Sequence, residues 1–413
     1  MMNNSDSYVS DCVKAFSVYN KLFGKLFIFI FKWDEKERKL KKNSRNKFYI
    51  SLFNILVGVL VVGCGSSSYV IIKSLLYPDL LPLRKALVAV VYLFISLFIS
   101  TNFVGLLFKL DECIDSGNAI LQMSSTLYKS YSSDCRRCHD RYFRSDAFWI
   151  FLKWWAYIAN VVLFLVIVLL TPASTTLKRS AATPFAIVFN DILPKTICNP
   201  GNTECIQFRE FFIGSLRVVM SIISFSQGCG FLAFLFTFGI IYLSCIFTSI
   251  KMMYVSLSSD KNVTRFSIRY KAFQIVVQVF NNFGGTLISI SMAFGFYLVV
   301  FCTVASVKTV GTLPLRIYWF LPMVDWIVIT VIHFALPLAA EVYVKTELIL
   351  KKLHWNVVES RNSSFEFKLG RMVERSLKPM QFKCWNFYGI KVSTKTRYYS
   401  SILDTTIDTL LTM

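Results

Sequence analysis

Six stretches of the chain, at roughly 49–73, 86–108, 148–171, 211–249, 272–306 and 317–340, are each long and apolar enough to cross the ~30 Å hydrocarbon layer of a bilayer as a helix. That confines the fold to an all-α integral membrane protein. A seventh span, 388–413, is weak by hydropathy because it holds Lys391, Lys395, Arg397, Asp404 and Asp408. Its place rests on amphipathicity. On a helix, Ser401, Asp404, Thr405, Asp408 and Thr412 share one stripe, and Leu403, Ile407, Leu410 and Leu411 share the opposite one. The apolar stripe is expected to pack on the bundle and the polar one to face water.

Charge orients the bundle. The segments 1–48, 109–147, 250–271 and 341–397 hold 34 of the 45 Lys and Arg residues, so the positive-inside rule puts them and the N-terminus in the cytosol. Seven spans then put the C-terminus outside. Much of the net charge of +21 is expected to face anionic inner-leaflet lipid, and nucleic acid is not needed to explain it.

Length carries further information. Candidate spans of about 39 and 35 residues would make helices of roughly 58 and 52 Å, well beyond one bilayer, so their excess enters the cytosol. The sixth span also runs on through "EVYVKTELILKKLHW". A short amphipathic helix follows: Ser363 and Glu366 form a capping-box pattern, Leu369, Met372, Val373 and Leu377 line one face, and Pro379 stops it. The expected organisation is a cytosolic segment 1–48, six spans within 49–340, a cytosolic helical layer at 341–387 and a terminal helix at 388–413.

Cys198 and Cys205, in "CNPGNTEC" of an outer loop, are expected to form a disulfide. The sequence "CRRCH", Cys135 to His139, has the haem-attachment form but falls in a cytosolic loop, so no cofactor or metal is expected. No H-E-x-x-H, G-x-S-x-G or phosphate loop occurs, and no enzymatic activity is expected. Arg217 and Asp325 fall at similar depth near the outer ends of spans four and six. They either form a structural ion pair or, with Ser224, Tyr297, Trp319 and Trp326, border a cavity for a small organic ligand.

The last 60 residues carry a family resemblance. "RMVERSLKPMQFKCWNFYGIKVSTKTRYYSSILDTTIDTLLTM" resembles the end of an insect gustatory receptor, a family that typically closes with TYhhhhhQF. "TTIDTLLTM" aligns with that motif: Thr405 matches it and Ile407, Leu410 and Leu411 fill apolar positions, whereas Thr406, Asp408, Thr409, Thr412 and Met413 depart from it. The resemblance implies a ligand-gated, nonselective cation channel in the plasma membrane, a homo- or heterotetramer with related receptors. It also implies a pore lined by the last helix, an anchor layer of cytosolic extensions and an outward-facing pocket for a tastant. Na⁺ and K⁺ would permeate, with Ca²⁺ a further candidate. A G-protein-coupled receptor would place its N-terminus outside, and neither a D-R-Y-like triplet after span three nor N-P-x-x-Y in span seven is present. A transporter would be expected to show internal repeats, and none is evident.

Overall fold

The computed structural model describes residues 17–23, 30–77 apart from 35 and 38, 83–132, 188, 203–259, 263–312, 318–359, 364–385 and 388–412. Within them the chain is mostly helical. A hairpin of β1 (Phe31–Asp34) and β2 (Lys39–Lys42) leads into α1 (Arg45–Leu76), followed by α2 (Leu83–Phe108), α3 (Leu110–Ser132), α4 (Thr203–Ser259), α5 (Val263–Lys308) and α6 (Phe320–Glu359). Then come α7 (Ser364–Ser376), the two-residue strands β3 (Lys383–Cys384) and β4 (Tyr388–Gly389), and α8 (Val392–Thr412). Among the described residues five helices, α1, α2, α4, α5 and α6, are long and apolar enough to cross a membrane. The expected span at 148–171 lies outside the described residues, as do "CRRCH" and the Cys198–Cys205 pair.

The long helices exceed even their expected lengths. With 57, 46 and 40 residues, α4, α5 and α6 extend for about 85, 70 and 60 Å at 1.5 Å per residue, roughly two to three times the hydrocarbon thickness. No break in the apolar pattern stops them, and α6 continues through Pro337.

A column of aromatic rings joins these elements. Phe31 of β1 meets Phe234 at 4.7 Å, Phe234 meets Phe238 at 5.2 Å, and Phe238 meets Tyr242 at 4.3 Å. Tyr242 then meets Phe280 of α5 at 4.8 Å, and Phe280 meets Phe382 at 5.6 Å. Several of these contacts are the edge-on and tilted arrangements that aromatic quadrupoles favour. The Tyr242 hydroxyl is not orphaned: it lies 3.3 Å from Ser116 Oγ and donates to the Cys113 carbonyl at 3.4 Å.

The all-α expectation omitted both hairpins. In β1 and β2 the side chains alternate, with Phe31, Trp33 and Leu40 buried and Lys32 and Lys39 exposed, as a strand with one covered face requires. Asp34 organises the turn by accepting from the Lys36 and Glu37 amides. Its carboxyl is lowered to about 2, chiefly by its hydrogen bond with Lys41 and then by the Glu37 amide. Asn118 of α3 docks the hairpin through both ends of its amide: Oδ1 accepts from the Leu40 amide at 2.8 Å, and Nδ2 donates to the Leu40 carbonyl at 3.0 Å. Asn118→Ala removes both bonds, and we expect a local destabilisation of about 1–3 kcal/mol. Faster amide exchange across 30–42 in detergent-solubilised protein would show it; unchanged exchange there would mean that the other contacts, among them the Lys42–Asp111 ion pair and the aromatic packing, hold the hairpin without Asn118.

The short helix falls where the sequence puts it. Leu377 is buried and Val373 packs on the core, but Met372 is 64% exposed and leaves the expected face. The face toward α6 includes Gly370 instead, whose missing side chain lets α7 approach α6 closely; a Cβ there would sit 3.1 Å from Val357 Cγ1. Beyond α7, the buried Thr346 of α6 accepts from the Met380 amide at 3.0 Å.

Candidate functional site

Helix α8 begins with a cap. The Lys391 amide donates to Thr394 Oγ1 at 2.9 Å, satisfying a first-turn donor from three residues ahead, and the Tyr388 hydroxyl lies 2.9 Å from the same oxygen. Two consecutive tyrosines then fasten the helix to different neighbours. Tyr398 donates to the Met292 carbonyl of α5 at 2.7 Å, and Tyr399 to the Ile329 carbonyl of α6 at 3.4 Å. Above them Ile402 packs with Val299, Val300 and Val304 of α5.

This anchoring fixes which face of α8 is free, and it corrects the expected arrangement. The buried side is Ile402 and Thr406, with Leu410 half-buried. Leu403 is 61% exposed, Ile407 53% and Leu411 80%, so these three do not pack on their own bundle. Ser401, Asp404, Asp408 and Thr412 are exposed as expected, while Thr405 is half-buried at the edge. At 100° per residue the exposed positions span about half the helix circumference, apolar along one edge and acidic along the other. Asp404 accepts from Ser400 Oγ at 3.4 Å.

The second group of expected residues is dispersed. Tyr297 on α5 and Trp319 and Trp326 at the start of α6 are all exposed, so these three rings stand on the surface of the chain. Arg217 and Ser224 lie on α4, but their side chains, and with them the expected Arg217–Asp325 pair, are outside the described residues. Asp325 itself is half-buried. Its Oδ2 accepts from Thr303 Oγ1 of α5 at 2.9 Å, and its Oδ1 is shielded from solvent with no hydrogen-bond partner among the described residues. The sequence also gave no hint that His333 Nε2 of α6 would lie 3.4 Å from Lys395 Nζ of α8. Such cross-helix contacts have no signature in either helix alone.

No family model and no curated protein matches the sequence. Solved structures do match. The insect olfactory receptor OR5 from Machilis hrabei, in complex with eugenol, superposes with a TM-score of 0.57 at 14% identity, covering 99% of this chain and 100% of that one. The same receptor solved as OR5 without a named ligand gives a TM-score of 0.56 at 12% identity, covering 97% and 98%. Both likenesses run the whole length of the chain, from the N-terminal segment through the long helices to α8. The chain therefore has the fold of an insect olfactory receptor.

Proposed function

We propose that the chain is one subunit of a tetrameric chemosensory receptor, a ligand-gated nonselective cation channel of gustatory type in the plasma membrane. Its N-terminus is cytosolic, the parts of α4, α5 and α6 beyond the bilayer build a cytosolic anchor with α7, and α8 crosses the membrane as the seventh span. The observation that carries this reading is the exposed half of α8. A helix held to its own subunit by Ile402, Tyr398 and Tyr399 still presents Asp404 and Asp408 outward. Carboxylates facing hydrocarbon are costly, and water at the axis of a ring of subunits removes that cost. Four copies would stack the Ser401, Asp404, Thr405, Asp408 and Thr412 stripes around that axis, where rings of negative charge favour Na⁺, K⁺ and Ca²⁺.

A small organic tastant is the stimulus, bound in the outer half near Arg217, Ser224, Tyr297, Trp319, Asp325 and Trp326. The Asp325 oxygen, which has no hydrogen-bond partner among the described residues, supports a polar contact there, and the OR5 receptor of like fold was solved in complex with eugenol, a small organic molecule. The test is voltage clamp of cells expressing the chain while a panel of sugars, bitter compounds and volatile phenols is applied. An evoked current reversing near zero with Na⁺ outside and K⁺ inside is expected, together with a four-subunit mass for the purified complex. A stable monomeric mass in lipid nanodiscs would refute the shared pore.

A further inference from the structure

The segment between α7 and α8 does not hang free; it is fastened along α5. Tyr270 donates to the Lys378 carbonyl at 3.0 Å. Three turns further along α5, Asn281 is read in both directions: its Nδ2 donates to the Gln381 carbonyl at 2.8 Å, and its Oδ1 accepts from the Lys383 amide at 3.2 Å. One turn beyond, the Gly285 carbonyl accepts from the Trp385 amide at 3.0 Å. A Cβ on Gly285 would lie 2.8 Å from the Lys383 carbonyl oxygen and 3.3 Å from the Trp385 nitrogen. Both are backbone atoms that cannot swing aside, so glycine is required for this approach. Trp385 holds a left-handed φ of 53°, unfavourable for a bulky residue and sustained here by its docking. Between the two contacts, Asn282 offers its carbonyl to Lys109 Nζ at 2.9 Å, at the junction of α2 and α3. The five residues "NNFGG" thus join three elements on the cytosolic side of the bundle.

What leaves this joint is α8. From Trp385 the chain turns through the hairpin, Ile390 donates to the Phe382 carbonyl at 2.8 Å, and Lys391 caps the helix. What enters it is α5, which runs unbroken through Tyr297 and Thr303, the latter bonded to Asp325. From Gly285 to Thr303 the helix rises about 27 Å, and a helix of that length moves nearly as a rod. The contacts that Asn281 and Gly285 make to the hairpin at its lower end use backbone groups and one short amide, so there is little side-chain slack to absorb a displacement.

We propose that Asn281 and Gly285 are the positioning residues that transmit movement of the outer part of α5 to the base of α8. They set how readily ligand opens the channel, without touching ligand or permeant ion. This rests on the channel reading. It differs from a merely structural role, because loosening the joint should change gating while leaving conduction alone.

The experiment uses the assembled receptor with Asn281→Asp and Gly285→Ala. The first keeps the acceptor for the Lys383 amide and turns the donor facing Gln381 into an acceptor; the second displaces the hairpin. Surface biotinylation verifies delivery to the membrane. Docking is read from Cys384, whose sulfur lies 3.5 Å from Met292 Sδ and whose thiol is pushed up by burial. Modification of that one cysteine by N-ethylmaleimide, followed by peptide mass spectrometry, should speed up about tenfold in both variants as the hairpin lifts. The midpoint of the ligand response should shift by about tenfold, the scale of residues along a coupling route. Single-channel conductance and reversal potential should stay at wild-type values. Faster Cys384 modification with an unchanged ligand response would overturn the coupling role, and unchanged modification in both variants would overturn the docking itself. If the wild type responds to no compound, the channel reading and the coupling role fall together, while Cys384 still reports whether the joint docks the hairpin.

Discussion

Asp408→Lys is expected to abolish cation current at normal surface expression. In a tetramer the substitution replaces a ring of four carboxylates by four ammonium groups, a change of eight charges at one height of the pore. Even at an effective dielectric constant of 20, a monovalent cation about 6 Å from a single unit charge feels roughly 3 kcal/mol, so a ring of the wrong sign closes the path to cations. Asp408→Asn removes the attraction without adding repulsion, and we expect lower single-channel conductance and lower divalent permeability. Asp404 lies one turn, about 6 Å, away along the axis and accepts from Ser400, so Asp404→Asn should act in the same direction but more weakly. Bi-ionic reversal potentials and single-channel recording read all three. The exposed apolar edge of Leu403, Ile407 and Leu411 is the rival lining. If that edge faces the axis, both Asn variants will conduct and select as wild type does, and the carboxylates will have no place in the pore.

Phe280→Ala should be the most damaging single change in the core. Its ring lies tilted against Tyr242, meets Phe283 edge-on at 5.6 Å and reaches Phe382 at the foot of the β3–β4 hairpin. The site has little room to collapse, because Gly284 already packs against the ring; a Cβ there would sit 2.7 Å from Phe280 Cε1. Removing an aromatic ring from such a position costs about 3–5 kcal/mol. Little mature protein should reach the cell surface, and the apparent Tm of the detergent-solubilised remainder should fall by several degrees. Phe280→Leu, which refills most of the volume, should restore surface delivery. Normal maturation of Phe280→Ala would show that the aromatic column is not a main support of the fold.

How much of this was legible in sequence depends on which interactions are local. The long apolar runs and the basic loops announce spans and their ends because hydrocarbon thickness and charge cost act residue by residue. The short amphipathic helix α7 was legible for the same reason. The β1–β2 hairpin was readable in principle from Phe31, Trp33 and Leu40, but a two-residue period over four residues is easily lost beside six lysines and arginines. The face of α8 was misread for a deeper reason. Apolar periodicity says that a stripe avoids water; it does not say whether its cover is the subunit's own bundle, lipid or another copy. Here Ile402 and Thr406 cover the subunit and the more apolar Leu403, Ile407 and Leu411 do not. Asn281 and Gly285 were illegible because their partners lie about 100 residues away in sequence. Only a Gly pair inside a long helix pattern hinted that another backbone passes close by.

The half-exposed surface of α8 also bears on how such a protein is made. Aspartate at mid-membrane opposes insertion by about 2.5–3.5 kcal/mol per residue on a translocon scale. If α8 crosses the bilayer as proposed, Asp404 and Asp408 together outweigh what its few leucines contribute, and the helix is a poor substrate for the insertion machinery on its own. If α8 is the seventh span, its entry into the bilayer draws on contacts made after synthesis: Tyr398 and Tyr399 within the chain and, in the proposed tetramer, neighbouring subunits around the axis. A cell producing single subunits would hold them with α8 only partly seated, and such forms are what membrane quality control removes. The abundance of mature receptor should then rise more steeply than linearly with the rate of synthesis, and a related subunit that seats its own last helix well would rescue its partners.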